Sequence, residues 1–454
     1  MIIKGILLLL VLSCASASQQ NALHVGDIVV VVLSQADVYH SRLALELRDD
    51  IHRQASIIGG KAPKVRLAHE EFPHPGAWTV VPLLPQLYEM DGTNSSWIVF
   101  CEERTRFNLP QLVQALSQHD HTEESWLGNG LHDKEPTIIH HFAFTHNPDR
   151  FLYPLLPAGF AFSSALLKRL GNAAATIKKS DFSIDAMHEL AVFTGTPLQS
   201  LASTFCSENR TGCAAYPVPF LPCGDAVPSE DIYFAVKTCL THHSDRVPVV
   251  LKTWAKDASN IEFFSDVQDD TIPTTAVGVA NTIRGHCAKT LAILRLVAER
   301  VQQLPNLQWL VLVDDDTLLS VSRLQSLLSC WSGQAVVVGE RYGYNVHSSL
   351  GYNYPTGGGG VAISTALLPT LVAECRCQSD DSPDDMYLGF CLTRLAVPLV
   401  HSPFFHQARP VDYAPGYLAT QLPVSFHKHW MLDPVVTYNQ WFTSAKASRL
   451  HTEL

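Results

Sequence analysis

The sequence predicts an α/β protein in which one pattern of strand, acidic corner and helix occurs twice. Two observations carry the prediction. The run Trp309-Leu310-Val311-Leu312-Val313 is an apolar strand that ends in three adjacent carboxylates, Asp314, Asp315 and Asp316. The run Trp97-Ile98-Val99-Phe100-Cys101 repeats it and ends in Glu102, Glu103 and Arg104, and at the same offset Leu112 falls opposite Leu324 in the following helix.

Taken in order, residues 1–17 read as an address: Lys4 is the positive start, Ile6 to Leu12 an apolar run too short to span a bilayer, and Ala15-Ser16-Ala17 a small-residue cleavage site. The first half, residues 22–215, opens with the strand Asp27-Ile28-Val29-Val30-Val31-Val32. The second opens the same way with Asp231-Ile232-Tyr233-Phe234-Ala235-Val236, and the offset sets Arg42 opposite Arg246. Further on, Tyr153-Pro154 and the run from Gly159 to Leu167 follow the pattern of Tyr354-Pro355 and the run from Gly360 to Leu368. Residues 216–229, with Pro217, Pro219, Pro222 and Pro228, form a linker, and residues 230–445 form the second half. There, Val247-Pro248-Val249-Val250-Leu251 is too short to type, and its proline suits the first residues of a strand or an edge. The chain ends in His451-Thr452-Glu453-Leu454, which resembles the tetrapeptides read by an endoplasmic reticulum retrieval receptor.

Composition narrows the class. The 454 residues are 46% hydrophobic and 17% charged, which describes an ordinary folded protein of two or three domains. A net charge of -11 argues against a nucleic-acid partner, and no second apolar stretch is long enough for a transmembrane segment. Of eleven cysteines Cys14 lies in the leader; the ten that remain predict several disulfides in an oxidising compartment, and no zinc spacing is completed. Asn94-Ser95-Ser96 and Asn209-Arg210-Thr211 are glycosylation sequons. The address signals together predict a soluble protein of the endoplasmic reticulum lumen.

The differences between the halves point to chemistry. Three carboxylates at the carboxyl end of a buried strand suit a hard divalent cation that bridges protein to phosphate, against the alternative of a solvated acidic loop. In the first half Arg104 stands opposite Asp316, and Leu156, Pro157 and Ala158 stand opposite Gly357, Gly358 and Gly359. That half is predicted to have lost catalysis and kept its core.

In order, the second half shows Val236-Lys237-Thr238-Cys239, Arg246, Thr253-Trp254, Phe263-Phe264-Ser265-Asp266, the three acids, Gly339-Glu340-Arg341-Tyr342-Gly343-Tyr344, four glycines from Gly357, Pro383-Asp384-Asp385-Met386-Tyr387-Leu388-Gly389, and Phe404-Phe405-His406. The series resembles the Fringe-type β1,3-glycosyltransferases over residues 230 to 440, and within them the branch that extends O-linked fucose with glucose in the endoplasmic reticulum. The resemblance implies a glycosyltransferase type A fold: a mostly parallel sheet, helices on both faces and ligands beyond the strands' carboxyl ends. It implies Mn²⁺, or another divalent cation, held by Asp316 and Asp314 with His406 as second ligand. The alternatives for these histidines are a hydrogen-bonded His406 beside the core and His401 as ligand instead. It implies Asp385 as the base of an inverting transfer, with Asp384 as neighbour or substitute, or with one of the pair capping a helix that begins near Met386. Lys237, Thr238, Arg246, Asp266, Asp314 and Asp315 match positions near the nucleotide, as do Gly358 and Gly359, for which a flexible loop is the other reading. Glu340, Arg341 and Tyr342 match positions that shape specificity.

The function so implied moves glucose from UDP-glucose to the 3-hydroxyl of fucose on thrombospondin type 1 repeat proteins. A same-family transfer of galactose or N-acetylglucosamine is the near rival. A non-catalytic luminal chaperone or lectin on a transferase fold is the distant one.

Overall fold

Strands buried on both faces must be apolar at every position, and the four central runs of the sequence are. In the computed structural model Ile28–Val32, Trp97–Cys101, Ile232–Lys237 and Trp309–Asp314 are strands, the first three buried at every residue. The structure describes residues 22–133, 137, 139, 151–174 and 181–443. Residues 1–17 and 451–454, the expected leader and retrieval-type terminus, lie outside them.

Two sheets carry the chain. The first runs Lys64–Leu67, Ile28–Val32, Trp97–Cys101, Phe160–Ser163, Trp126–Gly128 and Gln199–Ser200. The second runs Thr274–Ala276, Asn260–Ser265, Ile232–Lys237, Trp309–Asp314, Val361–Ser364, Val337–Gly339 and Leu399–His401. Each is parallel except for one strand, Phe160–Ser163 or Val361–Ser364, which is antiparallel to both neighbours. Register repeats as well: Ile28 pairs with Trp97 and Ile232 with Trp309, while Trp97 pairs with Ser163 and Trp309 with Ser364.

Alternate residues of the second sheet feed two cores. Ile232, Phe234, Trp309 and Val311 pack with the helix Val321–Leu328 on one face. Tyr233, Ala235, Leu310 and Leu312 pack on the other with the helices Cys287–Gln303 and Asp384–Arg394. The latter helix lies hard against the strand Tyr352–Pro355, because Gly389 presents no Cβ: one built there would stand 2.2 Å from Tyr354 Cβ. That approach fixes where the helix begins, and with it Asp384 and Asp385.

The halves are joined by more than the linker. Phe182–Ser183 of the first pairs with Arg341–Tyr344 of the second. Trp331 Nε1 donates to Asp37 Oδ1 at 2.8 Å, Trp78 Nε1 to Asn353 Oδ1 at 2.9 Å, and Tyr39 sits in the core of the second half. Disulfides join Cys206 to Cys213, Cys223 to Cys330, Cys287 to Cys377 and Cys375 to Cys391. Asn94 and Asn209 are exposed. No helix among the described residues is long and apolar enough to cross a membrane. The untyped run 247–251 is helical, Val247–Lys252, with Pro248 in the first turn where its missing N–H is not needed.

Candidate active site

The acids stand at the carboxyl end of Trp309–Asp314, beside the end of its neighbour Ile232–Lys237. Register sets Lys237 opposite Asp314. From there the Lys237 ammonium reaches two carboxylates, Asp314 at 3.1 Å and Asp384 at 2.6 Å. Thr238 donates to Asp315 Oδ2 at 2.7 Å, and Arg246 meets Asp315 and Asp316 at 3.0 Å each. Burial pushes Asp315 up, opposed by Thr238 and Arg246.

A second small sheet supplies the histidine. Thr317–Leu319, directly after the acids, pairs antiparallel with Ser425–His427, and Thr317 faces His427. His427 Nε2 lies 3.0 Å from Asp316 Oδ1 and 3.6 Å from Asp314 Oδ2. Burial opposes protonation of this ring, but the hydrogen bond to Asp316 and the two carboxylate charges raise its pKa. Burial likewise opposes ionisation of Asp316, yet His427 and Arg246 hold it well below the usual carboxylate range.

Asp314, Asp316 and His427 each offer one ligand atom, all within 4.8 Å of one another. Two carboxylate oxygens and an imidazole nitrogen so close could hold a divalent metal ion. The His427 ring rests on Gly358, where a built Cβ would come within 2.2 Å of Cε1. Gly358 O accepts from Thr317 Oγ1 at 2.9 Å, and Gly359 N donates to Gln407 Oε1 at 2.8 Å.

Two adjacent carboxylates begin the helix Asp384–Arg394 and part company electrostatically. Burial would raise Asp384, but Lys237 and the 2.6 Å hydrogen bond from Thr290 hold it at about 2. Burial and the charge of Asp384 push Asp385 up to about 6. Its carboxylate accepts from Met386 N at 2.7 Å and from Gly357 N. An ionised, tied neighbour beside a carboxyl titrating near neutrality is how one site separates a fixed charge from a proton acceptor. Between the acids and the Cys287–Gln303 helix lies an open cleft of about 270 Å³, lined by Lys237, Thr238, Arg246, His286 and Lys289 among others.

Residues 227–448 match the Fringe-like family. The β-1,3-glucosyltransferase of Homo sapiens is 45% identical over 445 residues, covering 96% of this chain and 89% of that protein. The chain belongs to the Fringe-like family of β1,3-glycosyltransferases. The β-1,3-N-acetylglucosaminyltransferase radical fringe of Notophthalmus viridescens is 27% identical over 206 residues, 40% of this chain and 52% of that protein. The solved apo structure of the WbbM bifunctional glycosyltransferase has a TM-score of 0.32 and 10% identity, covering 91% of this chain and 96% of that one.

In this Fringe-like transferase most residues singled out in the sequence converge: Lys237, Thr238, Arg246, Asp314, Asp315 and Asp316 line one cleft, and Asp384 joins it through Lys237. His406 does not. Its Nδ1 lies 3.1 and 3.0 Å from the carbonyls of Phe404 and Ser425, its Nε2 meets Gln421 at 3.0 Å, and burial lowers its pKa to about 4. It is the hydrogen-bonded core histidine, and His427 stands beside the acids instead. His401 is no substitute, because its Nδ1 accepts from Arg341 N at 3.1 Å and its backbone pairs with Gln35. Asp266 holds Leu240 N at 3.0 Å behind the cleft. Glu340 accepts from Gln407 N at 2.6 Å and braces the glycine turn. Sequence reasoning missed His427, Thr290 and His286; only the alternation His427-Lys428-His429 hinted at the first.

Proposed function

We propose that the chain transfers glucose from UDP-glucose to the 3-hydroxyl of O-linked fucose on thrombospondin type 1 repeats, with inversion. The observation that carries the reading is the division of labour between Asp384 and Asp385 beside the Asp314, Asp316 and His427 cluster. Asp385 takes the proton of the acceptor hydroxyl, whose oxygen forms the new bond to the glucose anomeric carbon as the bond to the diphosphate breaks. Lys237 and Thr290 keep Asp384 ionised, and its negative charge raises the proton affinity of the neighbouring base. A divalent cation, when bound by Asp314, Asp316 and His427, supplies positive charge against the departing UDP.

Glucose as donor is supported by the relative's name and by its extent: the likeness to the human β-1,3-glucosyltransferase runs through both halves, whereas that to radical fringe covers 40% of the chain. A luminal setting, with the retrieval receptor as a partner, is supported by residues 1–17 and 451–454 and by four disulfides, which need an oxidising compartment.

The test is transfer to a fucosylated thrombospondin type 1 repeat with Mn²⁺ and a panel of UDP-sugars. Glucose is the expected donor, and preference for galactose or N-acetylglucosamine overturns the assignment. Cellular function left intact by Asp316→Ala would point instead to a chaperone or lectin.

A further inference from the structure

The first sheet also ends in acids, and they face a cavity of their own. Glu102 and Glu103 follow the strand Trp97–Cys101 and line a space of about 160 Å³ whose far side is closed by Glu340, Arg341 and Tyr417 of the second half. The carboxyl end of a central strand is where open α/β sheets take ligands. Arg104 lines the same space, and its charge partly offsets that of the two acids; its guanidinium carbon lies 4.9 Å over the Phe404 ring.

Among the described residues, two polar groups here have no hydrogen bond, Glu103 Oε1 and Arg341 Nε. Glu103 is only 5% exposed, and the nearest ion-pair atom, His40 Nε2, is 3.8 Å away. Arg341 stacks over Trp78 at 4.7 Å, and no ion pair joins it to Glu102 or Glu103. Burial pushes Glu102 up to about 7 and Arg341 down to about 10. Burying such groups unsatisfied is unfavourable, so carboxyl groups and a guanidinium across one cavity call for an occupant that donates to the first and accepts from the second.

Hydroxyl groups do both. At about 160 Å³ the space is smaller than the 270 Å³ transfer cleft, which suits a ligand smaller than a nucleotide sugar. A nucleotide sugar is disfavoured, because its phosphates would meet two glutamates. We propose that this cavity between the halves binds one neutral monosaccharide, a single pyranose, without metal or nucleotide.

The test uses the full chain in EDTA with no nucleotide, with calorimetric and saturation-transfer measurements of glucose, fucose and glucuronate. A neutral sugar is expected to bind with a dissociation constant of about 1 mM, unchanged in Asp316→Ala, which disables the transfer site. Glu103→Gln and Arg341→Met are each expected to weaken it at least about tenfold with the melting curve of the parent. The proposal is overturned by no binding at about fifty times that concentration, by loss of binding in Asp316→Ala, or by glucuronate binding best. Should both cavity variants misfold, a crystal of the parent soaked in glucose decides: sugar density between Glu103 and Arg341 supports the site, and water alone ends it.

Discussion

Asp385 combines two demands that conflict in one side chain. As the proposed base it must be ionised, yet its surroundings favour the proton, with a value of about 6 against 3.8 for a free aspartate. Because the folded value is raised, this group costs the folded state nothing below the unfolded pKa and progressively more as pH climbs from about 4 to 6. Asp385→Asn removes that burden. The variant is expected to be more stable than the parent at pH 7, by about 1–2 kcal/mol once partial solvent screening is allowed for. The difference should vanish at pH 4 in urea unfolding, while transfer at pH 7 falls by about 10²–10⁴. Activity of the parent should drop as pH falls through about 6. An Asn variant as active as the parent would move the base elsewhere. The two histidines make a paired prediction: His427→Ala should raise the Mn²⁺ requirement at least about tenfold, whereas His406→Ala should lower stability and leave metal dependence alone. A shift in metal dependence for His406→Ala would restore the sequence expectation.

At the level of elements, the legible parts are those whose physics is local. A parallel strand covered on both faces has to be an uninterrupted apolar run, and acids at its end stand out against it; so Trp309-Leu310-Val311-Leu312-Val313 and its three aspartates could be read directly. His427 could not. It comes into place through the pairing of Ser425–His427 with Thr317–Leu319, a contact between distant segments that leaves no mark in either, whereas His406 is suggested only by the family resemblance. The glycine turn was read for its freedom to approach a ligand, but the protein itself uses the space. A Cβ at Gly358 would strike the His427 ring, while one at Gly357 would make only an ordinary contact, 3.8 Å from Asp385 Cβ. Gly358→Ala is therefore expected to displace His427 and abolish metal-dependent transfer, and Gly357→Ala to retain most of it. Equal losses in the two variants would return the turn to a ligand-contacting role.

For the whole molecule, the second half does not close its own core. Tyr39, on the first half's Val38–Ile58 helix, is buried among residues of the second, with Trp331 at 5.3 Å in an edge contact. Trp331 in turn gives its N–H to Asp37, the cap of that helix. Strand pairing across Gly343 and Ser183 and the Cys223–Cys330 disulfide extend the same joint. A half that had kept only a vestigial fold would melt separately. Shared burial of this kind instead couples the two, so that removing an aromatic ring from the joint destabilises both at once. Tyr39→Ala is expected to cost about 3–5 kcal/mol and to shift one common transition followed by tryptophan fluorescence and by loss of transfer alike. Two separate transitions, with only the first displaced by Tyr39→Ala and transfer surviving to the second, would mean that the halves fold independently and that the joint is ornamental to catalysis.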